Sequence, residues 1–298
     1  MRVLVTGAAG MLGSAVLESF AGRNDCHATD HLPDRVRRVP CVIADLEDPQ
    51  ALTGALNSVH PDAVIHCAAL ADVDTCERSP LRARAVNAAS TQTIADWCDR
   101  NSSRLVYVST DAVFDGNKPS PYIETDPPNP LNVYGCTKLD GEAAVLQSSK
   151  GLVLRTNIFG WRRFGKPDLA EWILAGLEHR KELTMFSDVL FSPIATGCLA
   201  ILIGRAINAE LAGLYHAAGA ETLSKHEFAL RIAAAFSLGA DRVRPIRLEE
   251  ASLLARRPRN LALDSSRFAR ALGVALPDIA ASMSVWKDGR TKREVTRS

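Results

Sequence analysis

Between Val3 and Leu154 the chain repeats one unit, a short and nearly continuous apolar run followed by a longer stretch with helical spacing. The runs Val3–Val5, Cys26–Thr29, Val39–Ile43, Ala63–His66, Leu105–Val108 and Leu152–Leu154 read as strands, and helices are expected over 11–21, 48–58, 80–101 and 131–148. Strands without a polar alternation are buried on both faces, as in a parallel sheet covered by helices on each side. The alternation therefore predicts an α/β fold built on a doubly wound parallel sheet.

The second half is less regular. Gly160, Gly165, Pro167 and Pro193 separate shorter elements. A helix is expected over 195–208, a strand over Leu214–Ala217 that returns to the sheet, and helical pieces over 224–236, 248–255 and 264–271. The polar, basic end WKDGRTKREVTRS is expected to fray. These patterns divide the chain into a larger unit, 1–159 with 184–218 returning to it, and a smaller C-terminal unit formed by 160–183 and 219–298. A chain of 298 residues that is 47% hydrophobic can bury a core without disulfide or metal staples. With 35 Lys+Arg against 34 Asp+Glu it offers no general attraction to nucleic acid or to an acidic membrane, and neither is expected as a partner. The seven cysteines never fall in a C-x-x-C pair, so no metal site and no disulfide framework is indicated. The N-terminus has no signal-peptide h-region and no apolar run reaches the ~18 residues of a membrane span, which suggests a cytoplasmic protein.

The first strand runs into Gly7-Ala8-Ala9-Gly10-Met11-Leu12-Gly13 and then into an apolar-periodic helix. Glycines at such a turn let the backbone approach a pyrophosphate, whose charge then lies at the positive end of the helix. The spacing is Gly-x-x-Gly-x-x-Gly, and its place at the first strand, turn and helix indicates a dinucleotide site of the Rossmann type. Asp30, at the end of the second strand, is positioned to accept hydrogen bonds from an adenosine ribose diol. Its charge favours NADH over NADPH, an expectation weakened by the nearby Arg35, Arg37 and Arg38. Asp45 and Leu46 after the third strand, and Ala68, Ala69 and Leu70 after the fourth, fall where adenine and ribose would be bracketed.

Tyr134 and Lys138 are four apart on the helix expected over 131–148, whose start is marked by Asn129-Pro130, so they project from one face. Lowering a tyrosine pKa about 3 units takes about 4 kcal/mol of phenolate stabilisation, which an ammonium one turn away can largely supply. Thr110, after Ser109 at the end of the fifth strand, can hold the reacting oxygen in line. The three residues form a device for moving a proton on or off a carbonyl or hydroxyl oxygen while a nicotinamide exchanges hydride. The prolines of GNKPSPYIETDPPNP (116–130) mark a long loop beside it. The fork-shaped guanidinium groups of the Arg256–Asn260 run suit diphosphate oxygens. His66 and His216, inside expected strands, read as satisfied core histidines.

Taken in order, VTGAAGMLGS, HCAALADVDTCE, AVNAAST, VYVSTDAVFDG, PLNVYGCTKLDGE and LRTNIFGW resemble an extended short-chain dehydrogenase/reductase of the dTDP-4-dehydrorhamnose reductase family, and DVLFSPIAT, GLYHAAG and RPRNLALDSSRF extend the likeness. The resemblance implies reduction of a 4-keto-6-deoxy sugar nucleotide by NAD(P)H, often in a homodimer, with the sugar between the nucleotide domain and the smaller domain. It implies Tyr134 as general acid, Lys138 as the residue that binds the nicotinamide ribose and lowers the tyrosine pKa, and Thr110 on the carbonyl oxygen. Gly7, Gly10 and Gly13, with the amides of Met11 and Leu12, would carry the pyrophosphate. Asn87 would support the active-site helix and the cofactor loop, and Ser109 would lie along the cofactor. Asp111, Val113, Phe114, Asn157, Trp161 and Arg259 would face the sugar nucleotide. Two positions depart from the family: Ala112 stands where S-T-D-Y-V-F has an aromatic, and Arg155-Thr156-Asn157-Ile158-Phe159 stands where the family carries the tryptophan of R-T-S-W, with Trp161 two residues on.

Three rival readings remain. A 4,6-dehydratase would show Thr-Asp-Glu, but Ala112 follows Asp111. A 4-epimerase usually shows Ser-Ser or Ser-Ala in place of Thr110-Asp111. A non-catalytic regulator of the kind represented by the methionine adenosyltransferase β subunit shares the fold and much of the motif string.

Overall fold

In chain order the strands are β1 (Arg2–Thr6), β2 (Asp25–Asp30), β3 (Cys41–Ile43), β4 (Ala63–His66), β5 (Arg104–Val108), β6 (Gly151–Arg155) and β7 (Ile158–Phe159). They continue as β8 (Leu183–Phe186), β9 (Leu190–Phe191), β10 (Ile194–Ala195), β11 (Gly213–His216), β12 (Leu223–Ser224), β13 (Val243–Ile246) and β14 (Asn260–Leu261). The helices of the first half are α1 (Met11–Phe20), α2 (Pro49–Val59), α3 (Val73–Arg78), α4 (Pro80–Arg84), α5 (Ser90–Arg100) and α6 (Val133–Val145). Those of the second are α7 (Leu169–Glu178), α8 (Thr196–Asn208), α9 (Lys225–Ala235), α10 (Ser266–Leu272) and α11 (Ile279–Val295). This computed structural model describes residues 1–31, 36 and 39–295, with side chains through Arg290. Arg35, Arg37 and Arg38 lie outside the described residues.

The central sheet has the order β11-β6-β5-β4-β1-β2-β3 and all its pairings are parallel. The strand order reverses between β1 and β4, which opens a crevice at their C-terminal ends, the place where doubly wound sheets bind ligands. The pleat divides the strands between two cores. Val3, Val5, Val106, Val108, Leu152 and Leu154 pack with Leu12, Val16, Leu199 and Ile203 of α1 and α8. Leu4, Leu105, Tyr107 and Val153 pack with Leu52, Leu56, Ile94 and Ala144 of α2, α5 and α6. Burial on both faces is what the unbroken apolar runs require.

The rest of the chain forms small sheets: β8 with β13, β9 between β12 and β14, and β7 with β10. β11, by contrast, joins the main sheet beside β6. Four expectations need correction. The strand expected from Val39 starts at Cys41. The helix expected over 80–101 is interrupted by a π-helical turn at Ala85–Ala89, and α3 precedes it. The helix expected over 248–255 is one 3-10 turn, Leu248–Glu250, followed by irregular backbone. Here the amide of Ala255 is drawn to Asp74 (3.4 Å) and the carbonyl of Arg256 accepts from Asn132 (3.1 Å), so tertiary contacts override local helical preference. Finally, the basic end is helical through Val295. Trp286 is only 2% exposed and stacks on Trp161, with ring centroids 4.8 Å apart, so buried aromatic surface anchors a segment that its charges make look solvated.

Candidate functional site

The turn after β1 has room for backbone only. Gly7 has φ +61°, and a Cβ on it would lie 2.7 Å from Ala68 Cα; one on Gly13 would lie 2.2 Å from the Gly7 carbonyl oxygen. Gly10 is the N-cap of α1 and no side chain caps that helix, so its first amides point into the crevice as an anion-binding end. Asp30 is 8% exposed; its Oδ2 accepts the Ala9 amide (3.1 Å) and its Oδ1 lies 3.2 Å from His31 Nδ1. The residue expected to read the ribose thus also braces the glycine turn. Exposed Asp45 accepts the Glu47 amide at the sheet edge, with Leu46 half-buried beside it.

On the opposite side of the crevice the half-buried segment Ala68–Leu70 is fixed by two anchors. Ala68 N–H donates to Thr6 Oγ1 (3.2 Å). Asn87, in the π-helical turn, accepts from Leu70 N–H (2.8 Å) and donates to the Leu70 carbonyl and to Thr137 Oγ1 of α6, both at 3.1 Å. Its amide is consumed by these bonds, so Asn87 ties the loop to α6. His66 stands between Thr6 Oγ1 (2.6 Å) and Thr91 Oγ1 (3.1 Å), and burial pushes it down to about 3, so it is neutral. Because Thr91 donates to the Asn87 carbonyl, the His66 Nε2–H must be the donor to Thr91. The polar side chains of the loop and helix that follow are each engaged. Asp72 caps α3, Asp74 pairs with Arg257, Cys76 Sγ donates to the Leu70 carbonyl and Glu77 accepts the Val133 amide.

α6 brings Tyr134 and Lys138 to the end of β5. Asn132 caps the helix through the Gly135 amide, and a Cβ on Gly135 would lie 2.3 Å from the Ala112 carbonyl oxygen, so α6 sits directly on the segment after Thr110. Lys138 is 2% exposed; its Nζ donates to the Val108 carbonyl (2.7 Å) and lies 4.0 Å from the centroid of the Tyr107 ring. Burial lowers it to about 7, against the pull of the Glu142 carboxylate one turn on. Tyr134 departs from expectation. Burial pushes its phenol up to about 12, with the Thr110 hydroxyl opposing and the Asp111 charge adding to the rise. The ammonium meant to lower it is spent on the Val108 carbonyl.

Ser109, expected along the cofactor, turns its hydroxyl to Glu142 Oε1 (2.5 Å). That carboxylate also receives a bidentate contact from Arg155, through Nε (2.9 and 3.1 Å) and Nη2 (2.6 Å), both residues being buried. Glu142 and Arg155 were missed by sequence reasoning. The available signal was the spacing, because Tyr134, Lys138 and Glu142 repeat every fourth residue on one face.

Thr110 Oγ1 accepts from the Ala112 amide (3.1 Å) and donates to Asp111 Oδ1 (3.2 Å), while Asn157 Nδ2 donates to Asp111 Oδ2 (2.5 Å). Burial pushes Asp111 up to about 6. Thr110, Asp111, Tyr134 and Asn157 are therefore brought together. Val113 and Phe114 are not: both side chains have no exposed surface, and Phe114 stacks on Tyr122 at 4.0 Å, so they are packing residues without a face for a ligand. Trp161 is held against α11, its indole N–H donating to the Trp286 carbonyl (2.7 Å). Arg259 points to Glu249 (3.1 Å) and Asp188 (3.9 Å); in that arginine run it is Arg257, paired to Asp74 at 3.1 Å, whose charge reaches Lys225. Lys225, at the first turn of α9, feels the charge of Asp111 and was also missed.

A glycine cradle that any Cβ would fill, an uncapped first helix and a Tyr-x-x-x-Lys pair beside a threonine at the end of the fifth strand define a nicotinamide-dependent oxidoreductase of the short-chain dehydrogenase/reductase class. Residues 1–286 match the family described as RmlD substrate binding domain, and the chain belongs to it. It is 35% identical over 285 residues to methionine adenosyltransferase 2 subunit beta of Pongo abelii, covering 89% of this chain and 81% of that protein. It is 30% identical over 295 residues to the dTDP-4-dehydrorhamnose reductase of Shigella flexneri, covering 93% and 94%. The crystal structure of dTDP-4-dehydrorhamnose reductase from Bacillus anthracis str. Ames in complex with NADP matches with a TM-score of 0.87 at 27% identity, over 97% of this chain and 99% of that one.

Proposed function

We propose that this protein is an NAD(P)H-dependent reductase of a 4-keto-6-deoxy sugar attached to a nucleoside diphosphate. The observation that supports this most is the meeting of Thr110, Tyr134 and Lys138 beside a backbone cradle suited to a dinucleotide. Gly7–Gly13 would hold the pyrophosphate of a reduced nicotinamide cofactor, which would supply hydride for the keto carbon. Thr110 and Tyr134 hold the carbonyl oxygen, and Tyr134 transfers its phenolic proton to that oxygen as the C–H bond forms, giving the alcohol. The raised phenol pKa keeps that proton in place at neutral pH, the form that reduction consumes. Lys138 orients the nicotinamide ribose, and Asp30 sets a weak preference for NADH. Asp111 and Asn157 line the sugar, with residues 160–183 and 219–298 forming the substrate side. In this reading the protein is a cytoplasmic homodimer that acts on a soluble sugar nucleotide and takes no part in nucleic-acid binding; no helix among the described residues is long and apolar enough to cross a membrane.

The test is loss of reduced-nicotinamide absorbance when purified protein meets a freshly prepared dTDP-4-keto-6-deoxy sugar, first with NADH and then with NADPH. Oxidation supports the reductase. Cofactor binding with no oxidation across several keto sugar nucleotides would favour the second reading, a regulatory subunit, which rests on the 35% identity to methionine adenosyltransferase 2 subunit beta. A stoichiometric large partner in extract of the source cell would support that reading.

A further inference from the structure

Among the described residues, several charged groups near the sugar-facing side of the site have fixed partners. Asp111 is bonded by Thr110 and Asn157, Arg257 is paired with Asp74, and Asp168 caps α7 and accepts the Gly160 amide (3.1 Å). Lys225 differs. Among the described residues its ammonium takes part in no ion pair and no side-chain hydrogen bond, and its close contact is the face of Phe191, 3.1 Å from the ring centroid. Two backbone anchors fix its position. Its own amide donates to the Val189 carbonyl (3.0 Å), and the preceding Ser224 closes a reciprocal capping box with Glu227. The side chain is therefore aimed from the positive end of an 11-residue helix toward Asp111, whose charge also reaches Tyr134 on the other side.

Lys225 is half-buried and bonds to neither of the nearby carboxylates, Asp111 and Asp168, so those charges and a cation–π contact repay only part of the cost of its lost hydration. A ligand that carries the counter-charge repays the rest on binding. We propose that Lys225 is a substrate-binding residue, the cation that pairs with an anionic group of the sugar nucleotide. This rests on the reductase reading of the same site. Two anionic groups have the required chemistry: the diphosphate common to all sugar nucleotides, or a carboxylate on the sugar itself. The second is compatible with a wall in which Ala112 stands in place of a bulky family aromatic. Burial holds Lys225 at about 8, so it is charged at neutral pH.

Titration calorimetry of the full chain loaded with NADP+, using UDP, UDP-glucose and UDP-glucuronate as probes, separates the two sources. Lys225→Met weakens all three by about tenfold or more if the diphosphate is the partner, and only UDP-glucuronate if a sugar carboxylate is. Lys225→Arg restores most of the lost affinity, and cofactor affinity is unchanged in both variants, which reports intact folding. Affinities of Lys225→Met within about twofold of wild type for every probe overturn the proposal. If the wild type turns over a keto sugar nucleotide and Lys225→Met leaves KM unchanged, the proposal falls while the reductase stands. If the loaded wild type binds none of the probes and turns over no keto sugar nucleotide, both fall together.

Discussion

The site contains two lysines, one buried and one half-buried, and they are held in opposite ways. Lys138 is clamped before any ligand arrives: its ammonium is on the Val108 carbonyl and over the Tyr107 ring, and Glu142 one turn away is locked by Arg155 and Ser109. Lys225 is aimed by its backbone, and among the described residues its ammonium has no acceptor. The first arrangement suits chemistry that is the same for every substrate, because a proton donor and its neighbours must be in place before the reacting atom. The second suits the side of the site where the variable part of the molecule lies.

The sharpest way to break this comparison is to remove the group that makes the prebuilt half chemical. Tyr134→Phe deletes one hydroxyl beside Thr110 and leaves the glycine cradle untouched. Turnover should fall about 100-fold to 10000-fold with cofactor affinity close to wild type. Retained turnover in steady-state kinetics would remove Tyr134 as the acid.

The clamp itself can be tested for energy. Glu142→Gln leaves the Arg155 guanidinium buried without its counter-charge. Breaking one partner of such a pair typically costs about 3–5 kcal/mol, read as a shift in the urea midpoint. A loss under about 1 kcal/mol would mean that Arg155 finds other acceptors.

Next in size is a pH effect. An ordinary lysine keeps its charge to about pH 10.4. Burial brings Lys138 down to about 7, so its ammonium is lost as pH rises through that value. The kcat/KM for the reduced cofactor should therefore fall about tenfold per pH unit above that point. Lys138→Arg should move this limb beyond the measurable range, because a guanidinium does not deprotonate there. A profile that is flat to pH ~9 in the wild type would show that Lys138 is not the titrating group.

The two halves also differ in how much of them is legible from sequence. Apolar runs such as Val3–Val5 and Ala63–His66 announce a buried parallel sheet because each residue satisfies a local rule, and Gly7 with Gly13 announces the cradle because a Cβ has nowhere to go. The Tyr134 and Lys138 spacing is local too. Glu142 shares their helix face, but its partners Ser109 and Arg155 are 33 and 13 residues away, and no local pattern pairs them. Phe114 and Trp161 fit a ligand-facing motif by position, yet the rings of Tyr122 and Trp286 cover them. The same distance hides Lys225. Its capping box is readable, but the backbone contact at Val189 and the facing Asp111 belong to other parts of the chain. Residues 251–255 fail for that reason as well, since Asp74 and Asn132 decide their conformation.

The smallest expected effect concerns Asp30, where one side chain does two things that a pair of variants can separate. Its Oδ2 braces the glycine turn through the Ala9 amide, which serves NADH and NADPH alike. Its charge acts only against a 2'-phosphate. Asp30→Asn removes the charge and keeps an acceptor, whereas Asp30→Ala removes both. The ratio of kcat/KM for NADH to that for NADPH should fall about fivefold in each variant, the equivalent of ~1 kcal/mol of charge repulsion. Absolute affinity for both cofactors should drop only in Asp30→Ala, because the Ala9 N–H is then left without its acceptor. An unchanged ratio in both would place cofactor choice with residues other than Asp30, and equal affinity losses in Asn and Ala would show that the turn depends on the carboxylate's charge rather than on its hydrogen bond.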